Sequence, residues 1–271
     1  MIHKTTSYKL TLTYQGTRYQ GWQIQPMGKT IQGELNQALS LVSGSVDVKS
    51  MGSGRTDAGV HALNQVVRVD IPLEIQPPQL VRALNVHLPS DVRVKSAEKC
   101  EETFHPTFQA TSKTYSYYFM KSYDPNPFLE NLITSVRYDL DFGLMKEAVS
   151  SFKGTHDFKC FQVEGTDVAS SVRTIWEADV FRLEALPIPW LNATLNSPVG
   201  LQIYEIRFKG NGFLKQMVRL MVGALWAVGR KKITNLALVD ALRNPQFGKR
   251  LSPVAPPQGL YLHNVTYGDT P

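Results

Sequence analysis

The segment SYKLTLTY alternates apolar and polar positions, with Tyr8, Leu10, Leu12 and Tyr14 on one face, and so predicts a strand over 7–14. After the loop YQGTRYQGWQIQP, Thr30 stands where a helix cap is needed. Ile31, Leu35, Ala38, Leu39 and Val42 follow at helical spacing. VDVKSM (Val46–Met51) reads as a short strand, and NQVVRVD resumes strand alternation through Val67, Val69 and Ile71. PPQLVRAL is a short helix opened by proline, with Leu80, Val81 and Leu84 inward, and DVRVKSAE is a strand. The order is β-α-β-β-α-β, the split βαβ arrangement.

The second half is less regular. ATSKTYSYYFM (Ala110–Met120) is strand-like. Asp141 caps a helix with Leu144, Met145, Ala148, Val149 and Phe152 on one stripe, closed near Gly154. SVRTIWEADVFRL and LQIYEIRF are strands, and the stretch between them is expected to be a long loop or hairpin. A helix over GFLKQMVRLMVGALWAVG ends at Gly229, TNLALVDAL is a shorter helix, and GLYLHNVTY a last strand. The expected fold is α+β: two split-βαβ (ferredoxin/RRM-like) halves in a continuous mixed, mainly antiparallel sheet with a central cleft. The expected division is 1–106 and 107–271.

Composition changes this picture little. Hydrophobic residues make up 42% of the 271 residues and charged residues 19%, ordinary for a globular chain. The formal charge of +6 and pI near 9.2 favour a polyanionic partner, but weakly. Cys100 and Cys160, the two cysteines, have no metal-ligand spacing and read as reduced thiols. The N-terminus has no leader-type apolar run, and Lys215, Gln216 and Arg219 make the most apolar helix too polar for a membrane span. Cytoplasm is the expected location.

The chemistry concentrates in MGSGRTDAGVHA (Met51–Ala62), where Arg55 and Asp57 share a glycine-rich turn. GSGRTDAG lacks both the Walker and the dinucleotide spacing. Two readings remain: an Asx-type turn with Asp57 satisfying its own amides, or a reactive carboxylate with a cation nearby.

GRTDAGVHA resembles the signature of the tRNA pseudouridine synthase A family. The resemblance extends in family order through YQGTRYQGWQIQP, ALNVHLPSDVRV, FHPTFQATSKTYSYYF, GTHDFKCF, NGFLKQMVRLMVGALWAVG and APPQGLYLHNVTY, nearly the whole chain. It implies the pseudouridine synthase fold and isomerisation of uridine to pseudouridine at positions 38, 39 and 40 of the tRNA anticodon stem-loop. That reaction has no net oxidation, hydrolysis or group transfer, so no cofactor or metal is expected. The implied partners are the tRNA anticodon arm and a second copy of the chain, with no membrane.

The resemblance also implies roles. Asp57 is the catalytic residue, either attacking C1′ or deprotonating C2′, and sequence leaves both open. Arg55 enters the RNA stack and helps evert the base. Tyr115 stacks on uracil and assists loss of the C5 proton, although Tyr115, Tyr117 and Phe119 also form an ordinary same-face row. Arg219 pairs with the catalytic aspartate, whereas periodicity alone puts it on a solvent face with Lys215 and Trp226. Leu260 lines the base pocket, with Leu262 as the alternative if strand phase differs. His61 has no evident duty. His156 and Asp157 are structural or RNA-facing; on composition alone, apart from the resemblance, Lys113, Arg173, Lys209 and Lys215 are candidate phosphate contacts or solvated surface charges.

The chain departs from the family pattern at Tyr19, commonly phenylalanine there, and in a longer segment from Leu183 to Gly200 that reaches toward RNA or a second subunit or is a plain rigid loop. The rivals are a synthase of the same fold with another RNA target and a non-catalytic RNA-binding protein. The lack of an RNP1-type segment counts against an ordinary RNA-recognition module.

Overall fold

The structure, a computed structural model, describes residues 5–123, 126–163, 169–183, 202–245 and 250–268. It is α+β, with mixed, mainly antiparallel strand pairing. Two compact units emerge: Met1–Lys113 with Tyr261–Pro271, and Thr114–Leu260. A linear cut at 106/107 follows chain order; the compact units follow strand pairing, which returns the last strand to the first unit.

In the first unit, β1 (Thr6–Tyr14) pairs antiparallel with both β3 (His61–Ile71) and β4 (Val92–Lys99). The free edge of β3 is shared. β2 (Lys49–Gly52) pairs with Val67–Asp70, and β10 (Leu260–Tyr267) runs parallel beside His61 and Ala62. β4-β1-β3 with β2 on β3 is the split βαβ order read from the sequence. β2 starts later than VDVKSM suggests, and Val46 is 94% exposed, so it contributes no buried side chain to a strand face.

Helix α1 (Ile31–Ser43) begins where Thr30 Oγ1 accepts from the Gly33 amide at 3.2 Å, a cap of about 1 kcal/mol. It buries Ile31, Leu35, Ala38 and Leu39 and ends at the left-handed Gly44. Helix α2 (Pro77–His87) buries Leu80 and Leu84, and packs on α1 and β4. Each large aliphatic side chain removed from water contributes roughly 1.5–3 kcal/mol.

The second unit orders its strands β5-β9-β8-β7, with β5 at Ala110–Lys121, β7 at Gly154–Asp157, β8 at Val172–Leu183 and β9 at Ile203–Gly210. β6 (Thr134–Val136) runs parallel to β5. α3 (Phe142–Val149), capped by Asp141 through the Leu144 amide, packs on α4 (Met217–Gly229), on α5 (Asn235–Arg243) and on β8. The expected loop between β8 and β9 falls at 184–201, outside the described residues.

Helix α4 differs from its sequence reading in two ways. It starts at Met217 rather than near Phe213, because Gln216 takes φ 58° and a left-handed residue cannot continue a right-handed helix. It is also buried nearly all round: of the three residues read as solvent-facing, Trp226 is only 6% exposed and Arg219 half-buried, while Lys215, before the helix, is exposed. Trp226 packs edge-on to Tyr117 and Phe119 of β5, which explains why a polar stripe on the wheel is not a wet one.

Candidate active site

Arg55 and Asp57 lie on the turn between β2 and β3, in the first unit. The turn is held by side chains acting as backbone partners. Ser53 is wholly buried; its amide donates to Val66 O at 2.8 Å and its hydroxyl to Gln65 Oε1 at 2.6 Å. Gln65, also wholly buried, donates through Nε2 to Gly54 O at 2.8 Å. Thr56 turns inward and shares a hydrogen bond with the Tyr14 hydroxyl at 2.9 Å. Burial pushes the Tyr14 phenol well above its ordinary pKa, so it stays a neutral partner.

The loop YQGTRYQGW wraps this turn. The Trp22 amide donates to Thr56 O at 3.0 Å and the Gly59 amide to Tyr19 O at 3.3 Å. Gly21 has φ +104°, and a Cβ there would stand 2.6 Å from Thr56 O; at Gly16 it would stand 2.0 Å from Val60 O. His61, without evident duty in the sequence, accepts the Gly16 amide on Nδ1 at 3.0 Å and stacks on Tyr261 with centroids 4.6 Å apart. The two sequence blocks therefore form one braced object.

On that frame Asp57 is half-buried and Arg55 exposed. Val60 donates to Asp57 O at 3.1 Å, while the Gly59 amide, the donor an Asx turn would use, goes to Tyr19. Backbone bonds thus close the turn at Val60 and tie it to the Gly16–Trp22 loop at Gly59. Among the described residues Arg55 makes no ion pair or hydrogen bond, so a structural salt bridge is not its role. The Lys113 ammonium lies 3.6 Å from the Cβ position of Gly54, so one of the candidate phosphate contacts flanks the turn.

Tyr115, Arg219 and Leu260 belong to the second unit. Tyr115, on β5, is 8% exposed and meets Phe213 edge-on at 5.0 Å. Arg219 sits in the first turn of α4 and is fixed by the strap Pro253–Pro257. Its Nε donates to Ala255 O at 2.7 Å, and the Ala255 amide returns a bond to Arg219 O at 3.2 Å. The solvent-face reading of Arg219 therefore fails: it is half-buried and oriented by backbone. The strap itself is held by Tyr117, whose hydroxyl donates to Pro256 O at 2.8 Å and shares a bond with Thr134 at 2.8 Å. Burial lifts the Tyr117 pKa far above the ordinary value, and the nearby Arg219 charge only partly opposes this.

Leu260 is 4% exposed and Leu262 fully buried. Two residues apart on one strand, they share a face, so strand phase does not separate them as the sequence reading supposed. Sequence reasoning missed Gln65, Thr56, Tyr117 and Ala255. Gln65 leaves a signal, a polar residue inside the apolar run of β3; Ala255 leaves none.

His156, Asp157, Lys209 and Arg173 have partners within the fold, and Lys215 is exposed. His156 Nε2 bonds Lys153 O at 2.8 Å, and Asp157 Oδ1 accepts from Lys159 N and Ser171 Oγ. Among the described residues no three or more His, Cys, Asp or Glu gather as for a metal. Lys209 pairs with Glu177 at 3.2 Å, and Arg173 donates to the Ser170 and Val172 carbonyls. No helix among the described residues is long and apolar enough to cross a membrane.

A family model described as tRNA pseudouridine synthase matches residues 11–109 and 148–268. The chain is 40% identical over 260 residues to a tRNA pseudouridine synthase A of an Exiguobacterium species, covering 96% of this chain and 97% of that one. It is 38% identical over 261 residues to that of a Geobacillus species, with 96% and 97% covered. It is 39% identical over 268 residues to that of Limosilactobacillus fermentum, with 97% and 96% covered. Identity at this level along nearly the full length leaves no room for a borrowed motif, and the chain belongs to the tRNA pseudouridine synthase family.

Proposed function

We propose that this protein isomerises uridine to pseudouridine in the anticodon stem-loop of tRNA, at positions 38, 39 and 40. The observation that supports the reading is an exposed Arg55, with no ion pair or hydrogen bond among the described residues, two residues from a half-buried Asp57 on a turn braced by Ser53, Gln65 and Thr56. An exposed guanidinium beside a half-buried carboxylate suits a polyanionic ligand that brings a reacting group to the carboxylate.

The N1–C1′ bond of uridine breaks, the uracil turns, C5 bonds to C1′, the C5 proton leaves and N1 is reprotonated. Asp57 acts in its ionised form, as a nucleophile at C1′ that C5 later displaces, or as a base that takes the C2′ proton and returns it when C5 bonds to C1′. Arg55 occupies the gap left by the everted base, where a planar cation both stacks and meets phosphate. Tyr115 stacks on the uracil and assists departure of the C5 proton. Arg219 supports the Asp57 carboxylate, and the strap bond to Ala255 sets the direction of its guanidinium. Leu260 supplies apolar wall to the uracil. The protein acts in the cytoplasm as a homodimer whose two copies share one tRNA.

The test is tritium release from 5-tritiated uridine in tRNA, without added metal or nucleotide. Asp57→Asn is expected to lower release by at least 10³-fold while tRNA binding persists, as for loss of a covalent or acid–base group. Unchanged release in that variant overturns the role of Asp57. Light scattering of the purified protein tests the dimer.

A further inference from the structure

The strap that holds Arg219 also borders a cavity of about 480 Å³, lined wholly by the second unit. Its walls include Ser135, Arg137, Tyr138, Trp226, Arg230 and Lys232. The reaction assigned above uses none of these six.

Three features of the cavity point the same way. Its lining holds Arg137, Arg230 and Lys232 and no carboxylate, and none of the three cations enters an ion pair among the described residues. Like charges gathered around one space raise the local potential and favour an anion there. Arg230 is oriented: its Cζ lies 4.0 Å from the Tyr138 ring centroid and the Tyr138 hydroxyl takes one of its bonds, which leaves other N–H groups for a further acceptor. Finally, Ser135 Oγ and Trp226 Nε1 are buried without a hydrogen-bond partner among the described residues, and both residues line this cavity. An indole N–H left unpaired in a protein interior is uncommon and calls for an acceptor.

We infer that this cavity binds a phosphoryl group, supplied by a phosphodiester of the bound tRNA outside the anticodon loop. The guanidinium and ammonium groups are donors that a phosphate oxygen matches, directly or through one water, and the unpaired hydroxyl and indole N–H stand in the same wall. Tyr138 and the Arg230 plane offer a flat surface beside it for a sugar or base. The tRNA source rests on the function proposed above; the phosphoryl site does not.

The test follows the indole N–H resonances by ¹H–¹⁵N NMR, with Trp226→Phe assigning the Trp226 signal. Inorganic phosphate is expected to shift that signal, and sodium chloride at equal ionic strength is not. The double variant Arg230→Gln/Lys232→Gln, whose side chains are exposed, is expected to abolish the shift. With full-length tRNA it should raise KM three- to tenfold, reduce the salt dependence of binding by about two charges, and leave kcat unchanged. On an isolated anticodon stem-loop KM should not move. No shift with phosphate or tRNA overturns the site, and a KM effect without a shift reduces it to surface charge. A phosphate shift with unchanged tRNA KM overturns the tRNA source and leaves free phosphate compounds as the ligand. A wild-type protein that shifts with phosphate but forms no pseudouridine would defeat the proposed function and not the cavity.

Discussion

Gly21 shows how a single residue decides the catalytic turn. Its φ of +104° is strained for any side chain, and an added Cβ would press on Thr56 O at 2.6 Å, a backbone atom that cannot swing aside. Gly21→Ala is expected to cost about 1–3 kcal/mol in urea unfolding and to lower tritium release, because Thr56 and Asp57 are neighbours. Full activity in a destabilised Gly21→Ala protein would show that the loop does not set the carboxylate. The glycines were legible as members of a motif. That the Gly16–Trp22 stretch and the Arg55–Asp57 turn brace each other was not, since they meet through backbone atoms that every residue type carries. Likewise Arg219 reads as a surface cation until its bond to Ala255 is seen.

Within the second unit, strands β5 and β9 are joined through a buried carboxylate. Glu205 is 3% exposed, accepts from Ser116 Oγ at 2.6 Å, and takes a fork of two bonds from Arg207, at 2.8 and 3.0 Å. Arg207 is further held over the Phe181 ring, 5.3 Å from its centroid, on β8. Removing one partner strands a charge in a dry place. Because Arg207 is itself partly exposed, Arg207→Ala is expected to destabilise by about 1–3 kcal/mol, read from denaturant melts. Lys in place of Arg207 should recover only part, because it lacks the planar fork. The sequence showed β9 as an alternating strand but gave no reason to pair Ser116 with Glu205, which are 89 residues apart. Helix α4 teaches the same at its start: no residue type forces Gln216 to φ 58°, and the helix boundary follows from where the chain must turn.

Over the whole chain, buried phenols set the alkaline limit. Burial pushes the pKa of Tyr14, Tyr19, Tyr117 and Tyr267 far up, and that of Tyr118 to about 12. In the unfolded chain these groups lose their protons near pH 10. Above that pH the unfolded state binds fewer protons than the folded one, so unfolding becomes easier as pH rises. Stability is expected to be unaffected by these groups below about pH 9 and to fall between pH 10 and 12. Each such tyrosine contributes a slope of about 1.4 kcal/mol per pH unit. Burial also lifts the Cys100 thiol to about 11 and the Cys160 thiol to about 12, which extends the loss down toward pH 9. Thermal melts across pH 7–11 check this, and a flat melting temperature up to pH 11 would contradict it. The same thiols should react slowly with iodoacetamide at pH 8.

What the sequence determined by itself is what depends on short-range pattern. Alternation placed β1, β3, β5 and β9, and Thr30 and Asp141 marked helix starts because a cap acts within three residues. The family blocks pointed to Arg55, Asp57, Tyr115, Arg219 and Leu260. Tertiary structure alone decided the rest. It returned β10 to the first unit through pairing with β3, buried the polar-looking face of α4 under β5, and oriented Arg219 by the strap. These outcomes depend on backbone carbonyls, close approaches and packing between segments far apart in the chain, where residue identity says which contacts are allowed but not which are made.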